Sequence, residues 1–334
     1  MSGRRVFLHL GYGKTGTTTL QQSFFDRLHS LGLVFYFGMF LSDESLPENK
    51  VFFDSLTAAL YLSDEEFNQE LGRLQRLFEI CVSDVAKTLP ILISNEHFLI
   101  SGYSTRRRGV TVSARNTAKR LSQVFHGQEA NLIVALRRQD ELMHSMFVEA
   151  VSRRNHQNHE HFITLEHYRT AACTECSPFY LMYDFHASLS SYRDAFPDAP
   201  MMCYTFEEFR QNELTILQSM LLRMEIDPET LALCQVPLPN LNRKSKSEAG
   251  ILVNSYSGAY NWLRRAPGFQ YLYPVVARNA TLRRLSSRFI KPGTVPFLSY
   301  DEADLIIETF RPSNRRLLSV DPQLTEQFGR FGYV

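Results

Sequence analysis

A strand-sized apolar run that breaks into a glycine- and threonine-rich turn limits what this chain can become. Residues 6–20 read VFLHLGYGKTGTTTL. Val6 to Leu10 has the length and composition of a short buried strand. Gly11, Gly13 and Gly16 let the backbone approach an anion closely. From Thr17 onward the pattern is helical, with Leu20, Phe24, Leu28 and Leu31 on one face. Strand, glycine turn and helix N-terminus in that order form a ready-made phosphate site. The first-turn amides of a helix have no intrahelical acceptor, and the helix dipole favours negative charge there. Lys14 adds a full positive charge, and Thr15, Thr17, Thr18 and Thr19 add hydroxyl donors.

Two common nucleotide motifs fit this loop poorly. A Walker loop ending at Gly13-Lys14-Thr15 needs a glycine at position 8, which is Leu8. The dinucleotide pattern G-x-G-x-x-G fits at Gly11, Gly13 and Gly16. A lysine inside it is unusual, however, and the stretch 33–38, LVFYFG, ends in no acidic residue to hold a ribose. A kinase reading survives only if Glu96 or Asp140 holds Mg²⁺.

The rest of the chain alternates. LVFYF (33–37), PILISNE (90–96), NLIVALRR (131–138) and MMCYTFEEF (201–209) read as strands. Residues 42–88 and about 111–126 read as helical, with a capping signal SDEE at 63–66 and a further helix starting near Gln139. PILISNE has no polar alternation, as expected of a strand covered on both faces. This order predicts an α/β fold, a central parallel sheet with flanking helices. After about residue 214 the chain reads as mostly helical, with proline-marked turns. We expect a single domain over 1–334: an α/β core at 1–213 with a helical insert at about 39–88, and a helical C-terminal lobe at 214–334.

Hydrophobic residues make up 44% of the 334 and charged residues 21%, so a soluble, well-filled core is expected. The net charge of +1 gives no global field for nucleic acid or an anionic membrane. Any highly charged ligand therefore needs a local basic pocket. The apolar run after Arg4 and Arg5 is too short for a signal segment or a membrane span, which points to the cytoplasm. Five cysteines, with one lone CxxC at Cys173 and Cys176, suggest neither a disulfide framework nor a zinc site.

HLGYGKTGTTTLQ resembles the 5′-phosphosulfate loop of sulfotransferases that use 3′-phosphoadenosine 5′-phosphosulfate (PAPS). The core of that loop is a strand, then K-[TS]-G-[TS]-T, then a helix. Bacterial members commonly read KTGTTSLQ, and this chain has Thr19 at the serine. The family's second motif is an arginine ending a later strand and a serine eight residues on. Here NLIVALRRQDELMHSMF supplies Arg137 and Ser145 at that spacing. The resemblance covers about residues 4–30 and 88–152 well and implies a P-loop-NTPase-like sulfotransferase fold.

The resemblance also implies roles. Gly13, Thr15, Gly16, Thr17, Thr18 and Thr19 would hold the 5′-phosphosulfate, with Lys14 stabilising the leaving phosphate as electrostatic catalyst. Arg137 and Ser145 would hold the 3′-phosphate, aided by Arg243 and Lys244 in LNRKSKSE. At the end of the PILISNE strand, Glu96 leads as the base that activates the acceptor, with His97 as the alternative. PAPS would be the donor and the desulfated nucleotide PAP the product, with no metal required. The acceptor would be a glycan, lipid or small metabolite, met by segments 39–88, 150–180 and 250–300. The rivals are a nucleotide-dependent kinase and a binding module that transfers nothing. The basic stretches 106–115 and 151–159 read as solvated loops or as part of the acceptor site. For Ser313-Asn314 helix capping is expected.

Overall fold

The computed structural model describes residues 3–38, 47–99, 104–105, 110–153, 164–175, 177–234, 236–239, 246–256 and 290–334. Five parallel strands form the central sheet: β1 (Arg5–Gly11), β2 (Phe35–Gly38), β3 (Ile91–Asn95), β4 (Glu129–Leu136) and β5 (Met201–Thr205). Their spatial order is β2-β3-β1-β4-β5. All five residues of β3 are buried, as are the last six of β1 and the last five of β4. This explains their unbroken apolar runs: helices cover both faces, so neither face needs polar residues.

The order of the strands creates the site. After β1 the chain travels to β2 at one edge, and after β4 it travels to β5 at the other. Adjacent strands whose connections leave in opposite directions open a crevice at their carboxyl ends. The pairing register brings those ends level. Leu10 pairs with Asn95, Gly11 with Ala135, and Leu136 with Thr205. Glu96, the Gly11–Gly16 turn, Arg137 and Phe206 therefore leave the sheet in one row.

The helix after β1 begins as α-helix (Thr17–Thr19), widens to a π-helix (Leu20–Phe25) and returns to α-helix (Asp26–Ser30). Leu20, Phe24 and Leu28 are buried as the apolar spacing predicts, and Leu31 stays partly exposed. The wider π turn also brings Gln21 and Phe25 inside. Each fully buried Leu or Phe of this face contributes about 1.5–3 kcal/mol. The capping signal at 63–66 forms a complete capping box, with the Ser63 side chain on the Glu66 amide and the Glu66 carboxylate on the Ser63 amide, opening the helix Asp64–Val82.

The chain divides into two compact units. Residues 1–142, 172–242 and 304–334 form the first, and residues 143–171 and 243–303 the second. The second holds a three-stranded antiparallel sheet built from Lys246–Ser247, Gly250–Tyr256 and Ile290–Val295. This sheet lies in the stretch after residue 214 that the sequence pattern marks as mostly helical. Its strands alternate weakly, and Pro292 and Gly293 interrupt the last of them, so no period-2 signal marks them. Within that unit His144 Nε2 lies 2.8 Å from the Pro296 carbonyl, and Arg169 pairs with Glu302 at 2.6 Å.

Candidate active site

The glycine turn is held in a conformation that only a few residues tolerate. Gly16 has φ 80°, and a Cβ there would also lie 3.2 Å from the Phe206 ring. Lys14 has φ 76° although it is not glycine. A left-handed lysine costs on the order of 1–2 kcal/mol, and such strain concentrates at functional sites. Gly11 permits the tight approach of the turn to the helix: a Cβ there would lie 2.4 Å from Thr17 Cγ2. Gly13 is buried within the turn. The Thr15 hydroxyl donates to the Tyr12 carbonyl at 2.7 Å, so this fully buried threonine closes the turn from within. Gly16 begins the helix with no side-chain cap, which leaves the first-turn amides to an external acceptor. Thr17 is buried. Thr18 and Thr19 are partly exposed, and the Thr19 hydroxyl lies 3.4 Å from the Pro239 carbonyl.

Arg137, at the end of β4, reaches this turn directly. Its Nη1 donates to the Lys14 carbonyl at 2.9 Å, across 123 positions of sequence. Its Nη2 donates to Glu141 Oε2 at 2.7 Å. The guanidinium lies over the Phe206 ring, 4.9 Å from the centroid. Its buried Nε–H meets no acceptor among the described residues. Phe206 thus supports both halves of the site, under Gly16 and under Arg137. Neither Phe206 nor Glu141 stands out in the sequence as a site residue. The signal for Glu141 was its i,i+4 spacing from Arg137; Phe206 had none beyond lying at a strand end. Ser145 lies partly exposed on the helix Gln139–Arg153, in the second unit. Arg243 and Lys244 lie outside the described residues, as do 106–109 and 154–159 of the two basic stretches.

At the end of β3, Glu96 is the first residue of a 3₁₀ turn, Glu96–Leu99, and is half-buried. The turn is fixed by Asn95: its Oδ1 accepts the His97 amide at 2.9 Å, and its Nδ2 donates to Thr57 Oγ1 at 2.8 Å. Asn95 therefore caps this turn. The His97 ring is engaged through Nδ1 with the Tyr61 hydroxyl.

Beneath the crevice a buried polar chain ties three strands to the loop helix. His9 Nδ1 lies 2.7 Å from Ser94 Oγ and Nε2 lies 3.2 Å from the Tyr204 hydroxyl. Gln21, turned inward by the π segment, donates to Ser94 Oγ at 2.9 Å. Burial pushes the His9 imidazole down to about 3 from 6.5. Unfolded, His9 takes up a proton in the window between those values that the folded protein refuses. Its contribution to stability is therefore complete above the unfolded value and is lost as pH falls through the window. Urea unfolding should show the advantage of wild type over His9→Asn shrinking by about 1.4 kcal/mol per pH unit below 6.5. Parallel pH profiles for the two proteins would rule this out.

Ser313 and Asn314 do not cap a helix, contrary to expectation. They are buried in the middle of the helix Tyr300–Val320. The Ser313 hydroxyl donates to Asp184, whose carboxylate caps the helix Phe185–Ala195. The Asn314 amide pairs with Gln139 at 2.8 and 3.2 Å and donates to the Tyr333 carbonyl at 2.8 Å. Asn314 therefore fixes Gln139, two residues after Arg137. Among the described residues no group of acidic, cysteine and histidine side chains could hold a metal, and no helix is long and apolar enough to cross a membrane.

No family model matches the chain, and no curated protein matches it in sequence. Solved structures do. A sulfotransferase from Alicyclobacillus acidocaldarius is similar at 13% identity and TM-score 0.46, over 95% of this chain and 96% of that one. A mouse sulfotransferase complexed with PAP is similar at 12% identity and TM-score 0.34, over 69% of this chain and 63% of that one. The sulfotransferase domain of the Synechococcus PCC 7002 olefin synthase is similar at 13% identity and TM-score 0.36, over 93% and 96% of the two chains.

Proposed function

We propose that this chain is a sulfotransferase that moves a sulfuryl group from PAPS to a hydroxyl or amine acceptor. One observation carries the reading: Arg137 of the second motif donates to the Lys14 carbonyl of the first. Two motifs far apart in sequence converge at the crevice where an open parallel sheet binds its ligands.

The residues present fit such a nucleotide. The uncapped helix start and the left-handed turn at Lys14 and Gly16 suit the 5′ anion. Arg137 has N–H groups to spare, its buried Nε–H among them. It would hold the 3′-phosphate together with Ser145, Arg243 and Lys244. The backbone of the Gly13–Thr19 segment and the hydroxyls of Thr17 and Thr18 would hold the 5′ end, while Thr15 keeps the turn closed. When bound, the nucleotide supplies the sulfuryl group. Lys14 offers its ammonium to the charge that builds on the leaving phosphate oxygen, an interaction stronger in the transition state than in the ground state. Glu96, at the adjacent strand end, accepts the acceptor's proton, with His97 as the alternative base. We place the reaction in the cytoplasm, where the thiols of Cys81, Cys203 and Cys234 would remain reduced. The acceptor class is a glycan, lipid or small metabolite.

Calorimetric titration with PAP, in parallel with ATP plus Mg²⁺, tests the reading. Micromolar or tighter PAP binding is expected. Clear ATP binding with no PAP binding would replace it with a kinase-type loop.

A further inference from the structure

We propose that Glu207 and Tyr333 are positioning residues of the nucleotide site and act on the 3′-phosphate through Arg137. The inference rests on the reading of Arg137 as the 3′-phosphate ligand.

Arg137 is followed in the chain by Arg138, and Phe206, the ring under its guanidinium, is followed by Glu207. The Glu207 carboxylate joins these two neighbours to a third residue. Its Oε1 accepts the Arg138 amide at 3.2 Å, and its Oε2 accepts the Tyr333 hydroxyl at 2.7 Å. The end of β4 is thus tied to the residue after Phe206, and Glu207 is tied to Tyr333. Tyr333 is a firm anchor. It is fully buried, its ring stacks on Phe328 at 4.3 Å, and its carbonyl accepts from Asn314 at 2.8 Å. Burial and the adjacent carboxylate push its phenol well above the usual 10, so the hydroxyl stays a donor.

The segment that carries Tyr333 meets both strand ends elsewhere. Gln327 Oε1 accepts the amide of Thr205, the residue before Phe206, at 2.9 Å. The Phe331 carbonyl accepts Arg138 Nη1 at 3.1 Å, and Arg330 pairs with Glu208 at 3.3 Å. Arg137 and Phe206 are therefore flanked by residues that this segment holds.

That matters for binding because a guanidinium already in place loses less side-chain freedom when it meets phosphate. Its fork also matches phosphate only in a narrow range of directions. Three things aim it here: the Lys14 carbonyl on Nη1, the Phe206 ring against its face, and a fixed backbone at the end of β4. Glu207 supplies the third and, as the residue after Phe206, helps to hold the second.

A double-mutant cycle tests this. Wild type, Tyr333→Phe, Arg137→Ala and the double variant are titrated calorimetrically with PAP. Tyr333→Phe keeps the ring and removes one hydrogen bond, so it should weaken PAP about three- to tenfold. In the Arg137→Ala background the same change should cost less than about twofold, because residues that act through one group are not additive. Glu207→Gln, in the same two backgrounds, is the second variant should Tyr333→Phe fail to fold. An amide has one oxygen where the carboxylate uses two, so the same pattern is expected. Equal weakening in both backgrounds overturns the proposal, since a general loosening of the fold then explains the loss. PAP binding that neither variant changes, yet Arg137→Ala weakens, also overturns it and leaves the sulfotransferase reading intact. A wild-type protein that binds no PAP removes the reading and the proposal together.

Discussion

Lys14→Ala is expected to lower turnover about 10²- to 10³-fold at saturating PAPS, with a much smaller change in PAP affinity. The split follows from geometry. Arg137 is tied to the backbone carbonyl of Lys14, not to its side chain, so truncation leaves the contact between the two motifs in place. What disappears is a positive charge that matters most when negative charge builds on the leaving oxygen. Lys14 also adopts a left-handed φ of 76°, which alanine tolerates poorly. Lys14→Gly provides the control: it removes the same charge and relieves the backbone, so it should lose turnover to the same extent while keeping the loop. Measured kcat and PAP Kd decide the point. An equal fall in affinity and turnover would make Lys14 a passive counterion of the phosphate.

Arg137→Ala should have the largest effect on binding, weakening PAP about 10- to 100-fold. Charge-assisted hydrogen bonds contribute about 1.5–3 kcal/mol each, and this residue forms the fork that a phosphate matches. Its loss also frees the Lys14 carbonyl and uncovers the Phe206 ring, so the turn at Lys14–Gly16 loses its brace. Arg137→Lys should fall between wild type and alanine. It keeps the charge but has neither the planar fork nor the stacking face. A lysine variant as tight as wild type would mean that charge alone, without geometry, holds the nucleotide. Titration of the three proteins with PAP at fixed ionic strength separates these outcomes.

Local chemistry made much of the site readable in advance. Val6–Leu10 must be a strand and Gly11–Gly16 a turn, because those residues favour those backbones whatever surrounds them. The Ser63–Glu66 capping box and the buried runs of β3 and β4 are equally local, set by a period of hydrophobicity or by a side chain reaching its own helix end. The resemblance in the loop and in the Arg137–Ser145 pair extended this to a chemical expectation. Other features had no local signature. The π turn that buries Gln21 against Ser94 depends on what the loop helix packs upon. Phe206 looks like any strand-end aromatic until the register of β4 with β5 brings it beneath Arg137 and Gly16. Ser313 and Asn314 lie far along the chain from the Asp184 and Gln139 that they bind.

The sequence by itself therefore determined the strand, turn and helix around Lys14, the parallel α/β class, and the residue types able to meet a phosphate. Only the tertiary structure decided that β1 lies between β3 and β4, that Arg137 closes onto the Lys14 carbonyl, and that Glu141 occupies the remaining edge of its guanidinium. The physical reason is range. Backbone preference and hydrophobic period act over a few residues, whereas the order of strands in a sheet is a balance of burial over the whole chain, and no short stretch of sequence carries it.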